Sequence, residues 1–184
     1  MGLKRVNPVK TVYGMSNSKT VEQKEADPSM RKIVENVTVI EEDVYEMIKK
    51  YHATLIVVSN MIKSLHYCVV GMGFYTIHPK LGDFFSQVDE YIDDVAELLV
   101  TEGKVTVLHL SEALTMSSIT EYNFGGQITC KQAMTQINKV FNALEDITDS
   151  LACSIPNVGI SGMFGDHYMY FSKSNWMVKA YLQG

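Results

Sequence analysis

The chain has 184 residues, 46% of them hydrophobic and 20% charged, which describes one ordinary globular domain and excludes a disordered or fibrous protein. Its three cysteines, Cys68, Cys130 and Cys153, are too few and too scattered for a disulfide framework or a CxxC metal knuckle, and they read as small buried hydrophobes in a reducing compartment. No basic-then-apolar leader opens the chain, and apolar runs such as Leu55-Ile56-Val57-Val58 are far too short to cross a bilayer; a cytoplasmic protein with no membrane partner is expected.

The net charge of -5 is unevenly divided. Within residues 1–24, Lys4, Arg5, Lys10, Lys19 and Lys24 stand against Glu22 alone, a local +4 that leaves -9 for the remainder. A basic arm on an acidic body suits a polyanion such as DNA, which the body alone would repel; the plainer alternative is a solubilising tail. Residues 1–38 read as this extension, with Asn7-Pro8, Gly14, Asn17 and Pro28 and no sustained periodicity. Thr20 and Gln23 form a capping-box pair that predicts a short helix to about residue 26, closed by Asp27-Pro28.

Residues 39–184 follow a different pattern. Val44, Ile48, Tyr51, Leu55, Val58, Ile62 and Leu65 recur at steps of four and three, one apolar stripe along a helix. Ile77, Leu81, Phe84, Val88, Tyr91, Val95 and Leu98 repeat it, as do Cys130, Met134, Ile137, Phe141, Leu144, Thr148 and Leu151. A less regular fourth segment runs from Ile160 through Phe164, Phe171 and Val178 to Leu182. Gly71 and Gly73 break the first pair of segments, and Pro156 and Gly159 the second. Between the pairs lies a crossover over residues 102–127, too long for a plain helix–helix turn, with a short helix predicted near residues 111–116. The expected fold is all-α: a ferritin-like four-helix bundle made of two antiparallel hairpins joined by one long crossover.

Five histidines are present: His52, His66, His78, His109 and His167. His66 ends the first helix and His78 opens the second, so a short hairpin brings both imidazoles to one end. Asp93 and Glu97, four apart, share one face of the second helix. At about 100° per residue they fall about 160° to either side of the core residue Val95, pointing away from their own bundle. His78 and Asp93 are separated by about 22 Å of helix, so one chain cannot gather all four groups. Two chains related by a twofold axis can, with two equivalent sites per dimer. Two imidazoles and two carboxylates suit ferrous iron and leave positions open for oxidant and water. No Glu is followed by His at the third position, which excludes the Glu-x-x-His type of site inside the bundle.

The segment His66-Tyr67, Gly71, Gly73, Phe74-Tyr75-Thr76-Ile77-His78, continued by Val88-Asp89-Glu90-Tyr91-Ile92-Asp93-Asp94-Val95-Ala96-Glu97, resembles the helix-turn-helix of the Dps family of mini-ferritins. The ending Asn175-Trp176-Met177-Val178-Lys179-Ala180-Tyr181-Leu182 resembles the last helix of that family, and the resemblance spans about residues 40–184. It implies a hollow dodecamer with ferroxidase sites of two irons at the dimer interfaces, liganded by His66, His78, Asp93 and Glu97. Ferrous iron is there oxidised, preferably by hydrogen peroxide, and stored as ferric mineral. It further implies a nucleoid-associated protein that binds DNA non-specifically, here through the basic tail, whose many copies would act multivalently. The chain departs from the family pattern at Tyr67, where tryptophan is common, at Gly82, where an acid is frequent, and at Val158 and Gly162, where pore aspartates are common. Asp166 is then the only acid after Asp149. These departures keep open a DNA-binding cage with a weak or silent ferroxidase site, and a bundle that binds only a protein partner remains a distant third reading.

Overall fold

The computed structural model describes residues 41–123 and 125–184; the extension, with Lys4, Arg5, Lys10, Lys19 and Lys24, and the helix expected near residue 20 lie outside them. Four long helices dominate: α1 (Glu42–Cys68), α2 (Phe74–Thr101), α4 (Cys130–Ser154) and α5 (Val158–Leu182). The short α3 (Leu110–Met116) lies within the crossover. This is the expected ferritin-like arrangement, and the crossover occupies residues 102–127, between the end of α2 and the strand that precedes α4.

Local chemistry sets the boundaries. The α1–α2 turn needs positive φ at Gly71 (95°) and Gly73 (90°), a region that a β-carbon disfavours. Gly73 then offers its carbonyl to the amides of Thr76 and Ile77 to start α2. A reciprocal capping box opens α4: Thr129 Oγ1 accepts from the Gln132 amide, while Gln132 Oε1 accepts from the Thr129 amide. Asn157 Oδ1 accepts from the amides of Gly159 and Ile160 at the start of α5.

The apolar stripes meet in one core. Ile48, Leu55 and Ile62 of α1, Leu81, Phe84 and Val95 of α2, Ile137, Phe141 and Leu144 of α4, and Phe164 and Phe171 of α5 are all essentially inaccessible to solvent. Phe84 meets Phe141 edge-on at 5.0 Å between centroids. The crossover is pinned along α1 by Tyr45 Oη donating to Val105 O (2.8 Å), the Ser118 amide donating to Thr54 Oγ1 (2.9 Å) and the Lys49–Glu112 ion pair (2.9 Å). Its far end is fixed by a two-residue parallel pairing of β1 (Val69–Val70) with β2 (Ile128–Thr129). No strand is expected from the helical periodicity; the pairing ties the hairpin turn to the start of α4. Cys130 is buried as expected and Cys68 partly so, but Cys153 is exposed. It lies two residues, about 200°, beyond the buried Leu151 and so faces the other side of α4. Among the described residues no helix is long and apolar enough to cross a membrane.

Two histidines are buried in this core. His52 Nδ1 pairs with Thr106 Oγ1 (3.1 Å), and His167 Nδ1 pairs with the Tyr51 hydroxyl (3.1 Å). Burial disfavours the imidazolium in both, and it lowers the His167 pKa from 6.5 to about 4. Because the folded value lies below the unfolded one, the unfolded chain binds more protons between the two. The contribution of His167 is therefore complete above about pH 6.5 and is lost toward pH 4, by about 3 kcal/mol at most. Urea unfolding across this window should show a falling midpoint in the natural chain and a shallower fall in His167→Phe. Equal slopes would show that His167 does not carry the acid sensitivity.

Candidate metal centre

The hairpin brings His66 and His78 together as the spacing predicts, and it does more than juxtapose them. His66 Nδ1 donates to the backbone carbonyl of His78 (2.8 Å), and His78 Nδ1 donates to that of His66 (2.9 Å). A carbonyl only accepts, so each Nδ1 must carry a proton, and in the neutral ring Nε2 keeps its lone pair. Backbone partners of this kind fix both tautomer and ring orientation in metal-binding histidines. The two rings stack at 3.8 Å, tilted 24°, and Phe74 extends the stack on His78 at 4.7 Å. Phe85 and Tyr67 each meet His66 edge-on at 5.4 Å between centroids. Tyr67, at the position where the resemblance leads one to expect tryptophan, is 76% exposed.

The acids of α2 fall into two groups. Asp89 accepts from Ser59 Oγ and pairs with Lys63 Nζ at 2.8 Å. Glu90 accepts from Gln87 Nε2 (2.6 Å), and Asp94 Oδ2 lies 3.8 Å from His167 Nε2. Asp93 and Glu97 are exposed and, among the described residues, have no hydrogen-bond or ion-pair partner. Two unpartnered carboxylates one helical turn apart repel by a few tenths of a kcal/mol. A bound cation reverses that sign.

The structure thus brings the two histidines into contact and leaves the two carboxylates free on the outer face, further along α2. Among the described residues, no three His, Cys, Asp or Glu side chains converge to hold a metal within one chain. Val158 is 86% exposed and a β-carbon at Gly162 would meet open space, so both face outward at the start of α5. The Ser59–Lys63–Asp89 cluster and the reciprocal imidazole–carbonyl pairing were not read from the sequence. Spacing alone hints at the cluster, since Lys63 lies one turn before His66 and Asp89 one turn before Asp93.

Gly82 lies against the His66 ring: a β-carbon there would sit 3.6 Å from Cε1 and 3.8 Å from Nδ1, both ordinary contacts. Glycine in a helix interior costs about 0.5–1 kcal/mol relative to alanine. Gly82→Ala should therefore raise stability by about that amount, read from the denaturation midpoint. A lowered midpoint would show that the imidazole needs the space.

No protein-family model matches the chain. The chain is 26% identical over 144 residues to general stress protein 20U of Bacillus subtilis, covering 77% of this chain and 98% of that protein. It is 28% identical over 147 residues to the DNA protection during starvation protein of Listeria monocytogenes, covering 76% and 92% respectively. The solved structure of Dps from Listeria monocytogenes superposes with a TM-score of 0.74 at 26% identity, over 79% of this chain and 97% of that one. With the hairpin and the crossover following the pattern read from the sequence, these similarities show the ferritin-like fold and support membership of the Dps family.

Proposed function

We propose that this protein oxidises ferrous iron, preferably with hydrogen peroxide, at sites shared between two copies of the chain, and stores the ferric product inside a hollow dodecamer. One observation carries this reading. A locked imidazole pair, His66 on α1 and His78 on α2, leaves both Nε2 atoms free for a metal, and two unpartnered carboxylates lie about 22 Å beyond His78 along α2. Each half is incomplete alone, and a twofold axis laying two hairpins antiparallel would join His66 and His78 of one chain to Asp93 and Glu97 of the other. Iron is here the substrate. Two ferrous ions each give one electron to peroxide, which takes up two protons and leaves as two waters, so both reagents of hydroxyl-radical chemistry are consumed.

Exposed apolar groups support assembly: Leu108 is 70% exposed, Leu110 73% and Leu114 55%. Leu110 and Leu114 border a groove shared with Ile56 and Asn60 of α1, a surface that a second copy would cover. The relatives named for DNA protection during starvation support a second role, binding DNA non-specifically through Lys4, Arg5, Lys10, Lys19 and Lys24. A cage that binds DNA with a weak ferroxidase site is the alternative, favoured by the absence of acids at Gly82, Val158 and Gly162.

Anaerobic ferrous titration followed by peroxide tests the iron site. Alanine at His66 or Asp93 should cut ferrous affinity and oxidation rate by about tenfold or more. Binding and oxidation unchanged in both variants would remove these residues from the site. Deleting residues 1–24 should weaken DNA binding and flatten its salt dependence while iron oxidation persists. DNA affinity indifferent to the deletion would place the DNA-binding surface elsewhere.

A further inference from the structure

Behind the carboxylate half of α2 lies a buried cluster that the proposed iron chemistry does not use. Tyr51 of α1 is 1% exposed, as is His167 of α5. The Tyr51 hydroxyl sits 3.1 Å from His167 Nδ1, and the far nitrogen, Nε2, has no hydrogen-bond partner. Its nearest charged neighbour is Asp94 Oδ2, at 3.8 Å. A carboxylate facing Nε2 favours the proton there, which leaves the Nδ1 lone pair to accept the phenolic O–H. The Tyr91 ring stacks on the His167 imidazole at 3.7 Å, tilted 24°, and Tyr91 stands two residues before Asp93 on α2.

We infer that Tyr51 is a redox-active side chain, which gives up one electron while its phenolic proton passes to His167 Nδ1. A phenol that loses an electron becomes a strong acid, so a buried tyrosine is oxidised readily only when a base already holds its hydrogen bond. Tyr51 meets this condition. Tyr45, by contrast, donates to the Val105 carbonyl, which is not a base of comparable strength. An imidazolium in this site is costly by itself, but the proton would leave His167 facing the Asp94 carboxylate with an N–H at each end.

The oxidant comes from the iron reading, on which this inference rests. When a single ferrous ion meets peroxide, it supplies one of the two electrons required, and Tyr51 supplies the other. Ferrous iron, peroxide, the hydrogen-bonded phenol and two solvent protons become ferric iron, tyrosyl radical, imidazolium and two waters. The stacked Tyr91 and His167 rings bridge the Tyr51 phenol to the part of α2 that carries Asp93. The second oxidising equivalent thereby ends on a solvent-excluded ring and not on a diffusing hydroxyl radical.

The full-length assembled protein should be loaded anaerobically with substoichiometric ferrous iron, mixed with one equivalent of peroxide and freeze-quenched. Ferric iron and organic radical are then counted in the same sample by electron paramagnetic resonance. A tyrosyl signal is expected in the natural chain and should be lost in Tyr51→Phe, which keeps the ring and the fold, while ferric iron still forms. His167→Phe should also lose it, since the proton has nowhere to go. Ferric iron without a tyrosyl signal, or a signal unchanged in Tyr51→Phe, overturns the assignment to Tyr51; a signal unchanged in His167→Phe overturns the role of His167. If no ferric iron forms, the iron reading fails, and photogenerated tris(bipyridine)ruthenium(III) replaces iron and peroxide. A long-lived tyrosyl component absent from Tyr51→Phe then sustains the inference, and its absence from the natural chain ends it.

Discussion

α1 is buried over a far wider arc than one apolar stripe, because it packs against α2, α3 and α4 together. Tyr51, His52, Ala53, Thr54 and Leu55 are five consecutive buried residues, which a helix on the rim of a bundle cannot show. Everything near the candidate centre is referred to this helix. The crossover is tied to it by Tyr45, Lys49 and Thr54, and α2 runs antiparallel to it, with His66 against His78 and Ser59 against Asp89. The same helix presents Tyr51 to His167 of α5. A shift of α1 by one turn would misplace the histidine pair, the lysine-bound acid and the buried phenol together.

Much of this was legible in the sequence, because it rests on periodicity. The four stripes, the glycine turn at Gly71 and Gly73, and the crossover with its short helix follow from steps of three and four and from residues that break them. The outward direction of Asp93 and Glu97 follows equally from their angle to Val95. What could not be read depends on which atoms meet. Asp89, Glu90, Asp93, Asp94 and Glu97 look alike in a sequence, and only packing reveals that Lys63, Gln87 and His167 attend three of them. The imidazole–carbonyl pairs use backbone acceptors, which every residue carries and no motif marks. The two-residue strand pair is too short to leave an alternating pattern, and the exposure of Cys153 turns on where α4 loses its neighbours.

The polar interior is sparse and uneven. Asn175 joins α5 to α4 by accepting from Asn138 and donating to Asn142 and Glu145, so each end of its amide is satisfied. His167 is the opposite case, with one nitrogen hydrogen-bonded and the other only facing a carboxylate too distant for a hydrogen bond. An apolar residue would be less costly at that position. A buried imidazole retained against that cost is the kind of group for which a chemical role is worth seeking.

The division of α2 into a histidine end and an acidic end has a temporal meaning on the proposed reading. A newly made subunit would hold ready-shaped fragments of two different pockets and a finished version of neither. It would therefore be inert toward iron until it met its mate. Reactivity would switch on only as the container for the product closed, and stray chains released by damage or dilution would fall silent without any separate inhibitor.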